Sequence, residues 1–517
     1  MADLKSAQEL LKDLPKNDTI KALTEITDWI ESVRENADFN LDQRFDVLNL
    51  LDETARPFMR KLVYEYFSTL SMPKFQENRT WMVLNEFFTQ IEQAYFKVLT
   101  GYRSGDKGSS AVKPLLPLIT ARGIYAVMGR LKFAAARYAQ AEQILWDHLA
   151  EFYSYAESQQ YLNETIQLYS GPASPTSVRD RFVSLLMWYA PGSSTFNPQN
   201  MHLAERLATH FCKYFRIDKQ PAADSLYCFD LKQPVQLLRL MPDAIPSPTM
   251  RYISAGAVIP YVETLLKVLE KNIVPDEINF GGVYAVNAVR DVSRHLAVYW
   301  SAPPPMRRNV RRPIQVSMNV MHGFSNVAGC SLADNQNEPG SQNEPSSQNN
   351  LGMTSGMTTP GMTWAVEDIS ANGFRCILPA KSAEGVKIGS LIGLKPENVG
   401  YRSAGIVRRL GRDGQNNLHV GVEILSKRIE SVVLRAQARH AGVSAQAIWL
   451  ITPNEDSGEA CLLMNPDTFS MNVSLHTQLE SKRYLLIPLA LLEKGLDYDL
   501  AKFRLVEEED NAGDESY

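Results

Sequence analysis

The residues of this 517-residue chain that could do chemistry are concentrated in two short segments. Arg307, Arg308, Arg311 and Arg312 crowd into the stretch MRRNVRRP. They stand directly ahead of an alternation in which Ile314, Val316, Met318 and Val320 oppose Gln315, Ser317 and Asn319, the pattern of a half-buried strand. Downstream, at the end of the next expected strand, lies the turn Asp368-Ile-Ser370-Ala-Asn-Gly373. Guanidiniums supply paired donors to phosphate oxygens and to the O6/N7 edge of guanine, with flat faces for stacking. An Asp and a Ser two apart at a strand end point to one side. They offer an acceptor for guanine N1–H and N2–H₂ and a hydroxyl that serves either sense. Gly373 is expected to permit a sharp turn and a close backbone approach. The set complements a guanine nucleotide that carries phosphates.

The two segments differ in information. R-x-x-x-R recurs at Arg56/Arg60, Arg290/Arg294, Arg408/Arg412 and Arg435/Arg439, so alone it says nothing, whereas [DN]-x-S-x-x-G occurs once, at Asp368. Other chemistry is missing. The chain has no H-E-x-x-H, no G-x-S-x-G and no dinucleotide fingerprint. GYRSGDKGSS resembles a phosphate loop only superficially, because Lys107 does not adjoin its glycine as that motif requires. His148 lies on the apolar side of a helix pattern and reads as a core or groove histidine, and His419 reads as a solvated outward residue of its strand. No catalytic constellation and no metal set emerges, so a non-enzymatic protein without cofactor or metal is expected.

Residues 1–300 read as an all-α domain. Apolar positions recur at three- and four-residue spacing in Ile26–Val33, Phe45–Leu51, Met82–Val98, Ile144–Tyr153 and Val258–Leu269. The breaks between them (SGDKGSSAVKP, SGPASP, APGSSTFNP, MPDAIPSP) are uneven, so an irregular bundle is expected rather than a repeat solenoid. Residues 301–312, opening with APPP, form a stiff linker that carries the arginines. Residues 313–430 read as a small antiparallel β-barrel with a low-complexity insert at 334–363 that is expected to be a mobile loop. Strands are expected at Thr363–Ile369, Gly373–Pro379, Ser390–Pro396, Ala404–Leu410 and Leu418–Leu425, followed by a short helix from Ser426 to about Ala438. Residues 431–506 form a β-rich extension, either part of the barrel or a second β unit, and 507–517 an acidic tail.

Taken together, RRNVRRP before an alternating strand, then W-AVEDISANGF, then glycine-punctuated strands ending in HVGVEIL, resemble a PilZ domain. That family is a six-stranded barrel that binds the bacterial second messenger cyclic di-GMP. The resemblance implies that Arg307 and Arg311 are the arginines of its R-x-x-x-R motif, with Arg308 beside the first. It implies equally that Asp368, Ser370 and Gly373 are those of its second motif. The arginines would hold phosphates and guanine edges, and Asp368 and Ser370 a guanine. The resemblance covers about Arg307 to Leu425. The helical region before it resembles no family by motif.

Composition sets the remaining expectations. A formal charge of −5 on 53 basic and 58 acidic residues is too balanced for a surface built for polyanions, so a phosphate ligand must meet a local basic patch. Five cysteines, odd in number and without C-x-x-C, read as reduced thiols in a cytoplasm. No apolar run approaches the ~18–20 residues of a spanning helix, and no signal-peptide core opens the chain. The expectation is a cytoplasmic regulator that binds cyclic di-GMP and a protein partner through its helical region, without nucleic acid or membrane integration. Two alternatives stay open: an adaptor or scaffold whose barrel binds no ligand and whose arginines are a solvated basic linker, or a nucleic-acid clamp.

Overall fold

In the computed structural model the described residues are 3–68, 72–171, 174–306, 309–335, 362–396, 402–436, 444–451, 458–479 and 482–508. The chain divides into two compact units, Met1–Met306 and Arg307–Tyr517.

The first unit is built on helices α1 (Leu4–Leu10), α2 (Thr19–Glu35), α3 (Leu41–Ser68), α4 (Lys74–Ser104), α5 (Ser109–Val112), α6 (Leu116–Ala136), α7 (Gln143–Ser158), α8 (Val178–Gly192) and α9 (Pro198–Phe211). Their starts follow from local chemistry. Asp18 and Ser177 accept the free backbone N–H groups of Lys21 and Asp180, and Asn197 caps a helix whose first residue is Pro198. Helix α6 is the hub, buried along nearly its whole length. The stretch Ser109–Ala136 is long and apolar enough to cross a membrane by length and composition, but 67% of its most apolar window is packed inside the unit.

The unit is not helical throughout. Where a continuous helical pattern was expected to Trp300, strands β1 (Arg216–Asp218), β2 (Ser225–Asp230), β3 (Leu238–Arg239) and β4 (Met250–Ser254) form a four-stranded sheet in the order β1-β4-β2-β3. Helices α10 (Val258–Leu269) and α11 (Val286–Trp300) follow it. Leu226, Tyr227, Phe229 and Ile253 of the sheet join the same apolar core as the helices.

The second unit holds two closed six-stranded antiparallel barrels. Strands β5 (Arg312–His322), β6 (Met362–Ser370), β7 (Gly373–Leu378), β8 (Leu391–Pro396), β9 (Ser403–Arg412) and β10 (Leu418–Ser426) close as β10-β7-β6-β5-β8-β9. Helix α12 (Phe324–Asn335), absent from the sequence reading, follows β5. Of the expected inward set on β5, only Met318 and Val320 are buried; Val316 pairs with buried Val366 but remains 43% exposed itself, next to the register shift between Pro313 and Val316. Most of the low-complexity insert, 336–361, lies outside the described residues, as does the acidic tail from 509.

The helix expected from Ser426 is instead β11 (Arg428–Ala436), paired residue for residue with β12 (Ser444–Ile451). Its apolar residues satisfy a helical spacing in isolation, but Val432 and Leu434 point into one β core while Ile429 faces the other way, a strand's alternation. With β13 (Glu459–Met464), β14 (Leu475–Leu479), β15 (Lys482–Lys494) and β16 (Asp499–Glu508) it closes the second barrel as β11-β12-β13-β16-β15-β14. The C-terminal β-rich segment is therefore a barrel of its own, beginning at Arg428 rather than at 431.

Candidate ligand-binding site

The site is assembled on the first barrel by two strand ends. Arg311 stands immediately before β5, whose first pairs with β6 are Arg312 with Ile369 and Pro313 with Asp368. That register brings the arginine segment beside the Asp-Ser-Gly turn: Nη1 of Arg311 donates to Oδ1 of Asp368 at 2.7 Å. The other oxygen, Oδ2, lies 3.0 Å from Nε of Arg375. Asp368 is thus bracketed by two guanidiniums and nearly buried, while Arg375 is half exposed. Arg375 sits between Phe374 and Cys376, which point into the barrel, so the cluster lies on the barrel's outer face. Burial pushes the inward Cys376 thiol up to about 12, with the neighbouring Glu367 and Asp368 charges adding to it, so it is no nucleophile near neutral pH.

A β-bulge sets the side-chain directions. Register shifts between Val366 and Asp368, so Glu367 and Asp368 both reach Arg375, Glu367 at 2.9 Å. An extra residue in one strand re-aims its neighbours in this way. Glu367 also meets Nδ1 of His419 at 3.2 Å, and Nε2 of His419 lies 3.3 Å from Asp413. His419 therefore belongs to a charged cluster, where it was expected to be merely solvated. Ser370 closes the turn by donating its hydroxyl to the Gly373 carbonyl at 3.0 Å, which leaves the hydroxyl oxygen free to accept.

Gly373 is required by close approach and not by a left-handed turn: a Cβ there would stand 2.2 Å from the Val422 carbonyl oxygen of β10. Arg307 and Arg308 lie outside the described residues. Glu367 and Arg375 escaped the sequence reading, and His419 was read as solvated, because only cross-strand pairing and the bulge bring them to the motif. Arg375, two positions past Gly373, was the one visible signal.

His148 stacks on Phe96 at 3.6 Å between ring centres, and its Nδ1 meets buried Glu92. Among the described residues no group of three His, Cys, Asp or Glu side chains is placed to hold a metal ion. Clefts of about 440 and 370 Å³ indent the helical unit, but the arginines lining them, Arg103 and Arg179, are already paired with Glu151 and Asp180.

Comparison with known families then adds a similarity the motifs did not supply, and it concerns the other unit. Residues 5–222 match the family model described as the cyclic-di-GMP receptor FimW, N-terminal domain. The helical unit is similar to that domain. The region without a recognisable motif is thus the one that matches a family model, and the match ends near β1, where the helices give way to the small sheet. No curated protein matches the chain.

Proposed function

We propose that this protein is a receptor for cyclic di-GMP, which it binds without turnover on the outer face of a PilZ-like first barrel. Two independent observations support this reading. The helical unit resembles a domain of a cyclic-di-GMP receptor. On the barrel, the arginine segment and the D-x-S-x-x-G turn come together, and the contact that carries the reading is Arg311 to Asp368 at 2.7 Å.

The geometry suggests how binding proceeds. Ligand phosphates compete with Asp368 for the Arg311 guanidinium, offering it two parallel charge-assisted bonds in place of one. Once Arg311 turns to phosphate, Oδ1 of Asp368 is free to accept from guanine N1–H or N2–H₂, while Arg375 still holds Oδ2 and fixes the carboxylate's direction. Ser370 accepts a further guanine N–H. Arg307 and Arg308, placed by sequence just ahead, add charge against the remaining phosphate oxygens. The helical unit passes the signal to a protein partner, with the arginines lying on the segment that joins the two units.

Titration calorimetry on the native chain and on Arg307→Ala, Arg311→Ala and Asp368→Ala variants tests the assignment. The reading expects each substitution to weaken binding by at least tenfold, the ~1.5–3 kcal/mol of a charged hydrogen bond. Native-like affinity in Arg311→Ala and Asp368→Ala together would place the ligand elsewhere.

A further inference from the structure

The second barrel has no motif, yet its strands are joined in the same order as those of the first. Numbering the six strands of each barrel in chain order, the first closes as 6-3-2-1-4-5. The second closes as 1-2-3-6-5-4. Read as rings, these are one arrangement: strand 1 lies between 2 and 4, strand 3 between 2 and 6, and 5 between 4 and 6. All pairs in both rings are antiparallel. Six strands can close in many orders, so two consecutive barrels with identical connectivity point to repetition of one module.

The register allows the two to be matched residue by residue at the functional end. In the first barrel the opening pair of strands 1 and 2 is Arg312 with Ile369, and in the second it is Arg428 with Ile451. One step away, the position of Asp368 is taken by Leu450, which is 5% exposed. The position of Arg311 is taken by Lys427, and that of Arg307 by Glu423, which accepts from Nε of Arg408 at 2.7 Å.

The replacement extends over a whole face. In the first barrel the outer surface of strands 1, 2, 3 and 6 carries Arg311, Glu367, Asp368, Arg375 and His419. The same surface of the second barrel presents Ile429, Ile448, Leu450, Leu463 and Leu500. These apolar side chains form one cluster with Leu391, Ala404 and Ile406 on β8 and β9 of the first barrel and with Phe324, Val327 and Ala328 of α12. At the edge of this seam Arg408 of β9 makes two bonds of 2.6 Å to Glu493 of β15, and Tyr498 donates to the same carboxylate at 2.7 Å.

We infer that the second barrel is a repeat of the first whose ligand face has been rebuilt as an apolar seam that docks it onto β8 and β9, so that the tandem carries one ligand face. The number of ligand sites rests on the reading proposed above; the seam does not. Because Arg408 also holds Glu423, the residue opposite Gly373 in the β7–β10 ladder, the docked barrel braces the strand behind the Asp-Ser-Gly turn.

Hydrogen exchange on the full chain, read by mass spectrometry, tests the seam. Leu450→Asp buries a carboxylate in the cluster, and Arg408→Gln removes the bonds to Glu493 while leaving the apolar contacts, so it remains informative if the first variant does not fold. The expected result for either is exchange faster by about tenfold or more in β8–β9 and in β11–β13 together, with the helical unit unchanged. Acceleration confined to the second barrel, with β8 and β9 untouched in both variants, would overturn the seam. For the site count, Asp368→Ala titrated with cyclic di-GMP should leave no site of native affinity, all binding being weakened by at least tenfold. A remaining site of native affinity abolished by Lys427→Ala would mean the second barrel kept its own. If the native chain binds no cyclic di-GMP, the receptor reading fails while the exchange result still decides the seam.

Discussion

Replacing Gly373 by alanine separates what the Asp-Ser-Gly turn does for the barrel from what it does for a ligand. The backbone there is not in the left-handed region, so alanine meets no conformational penalty of that kind. The obstacle is the Val422 carbonyl oxygen, 2.2 Å from where the Cβ would sit, with the Val422 carbonyl carbon at 3.3 Å. A carbon and a carbonyl oxygen ordinarily approach to about 3.3 Å, so β7 and β10 must separate locally by about 1 Å. Both strands are hydrogen-bonded on either side within a closed barrel, and Gly373 pairs with Glu423, so neither can yield freely. The expected cost lies at the upper end of overpacking, about 3 kcal/mol. For a unit of this size that lowers the melting midpoint by about 6–12 °C. Calorimetric melting of the full chain reads it, with Gly411→Ala as the control, since a Cβ at Gly411 meets nothing within 4 Å. A Gly373→Ala midpoint within about 1 °C of native would refute the argument.

Other consequences follow from buried charge. Arg122, 2% exposed on α6, donates to Asn49 and Leu168 at 2.8 Å and to Tyr95 at 3.1 Å, and pairs with buried Asp52. Arg122→Leu should cost about 3–5 kcal/mol in denaturant unfolding by stranding the Asp52 carboxylate; a loss below about 1 kcal/mol would contradict the network's role. His202 packs on Phe67 and accepts from Lys132 at 2.6 Å, and burial followed by the Lys132 charge pushes it down to about 4. It stays neutral in the fold, so below pH ~6.5 the unfolded chain takes up a proton that the folded chain refuses, and stability should fall by about 3 kcal/mol between pH 6.5 and 4. Unfolding midpoints across that range should flatten in His202→Gln, and an unchanged slope would exclude His202 as the cause.

The parts of the fold that were legible in the sequence are those whose period is set locally. Val258–Leu269 reads as a helix and is one, and strands β6 to β10 fall where alternation and glycine turns place them. Elements decided by distant partners were not legible. Strand β1, three residues long, exists because β4 pairs with it from across an intervening hairpin, and β11 has a helical spacing that closure of the barrel overrides. The same division holds at the site. Asp368, Ser370 and Gly373 lie within six residues and could be found by motif, whereas Glu367, Arg375 and His419 join them only through pairing and a bulge. The repeat of the barrel is invisible to motif searching because Leu450 and Glu423 stand where the ligand residues would be.

The most direct test of the receptor reading is the titration of the full chain with cyclic di-GMP beside GTP at equal concentration. The account predicts a saturable heat in the low micromolar range or tighter, about −8 kcal/mol or more favourable, selective over GTP and weakened at least tenfold in Asp368→Ala. A flat trace at high micromolar cyclic di-GMP, from a chain whose melting shows it to be folded, would contradict it.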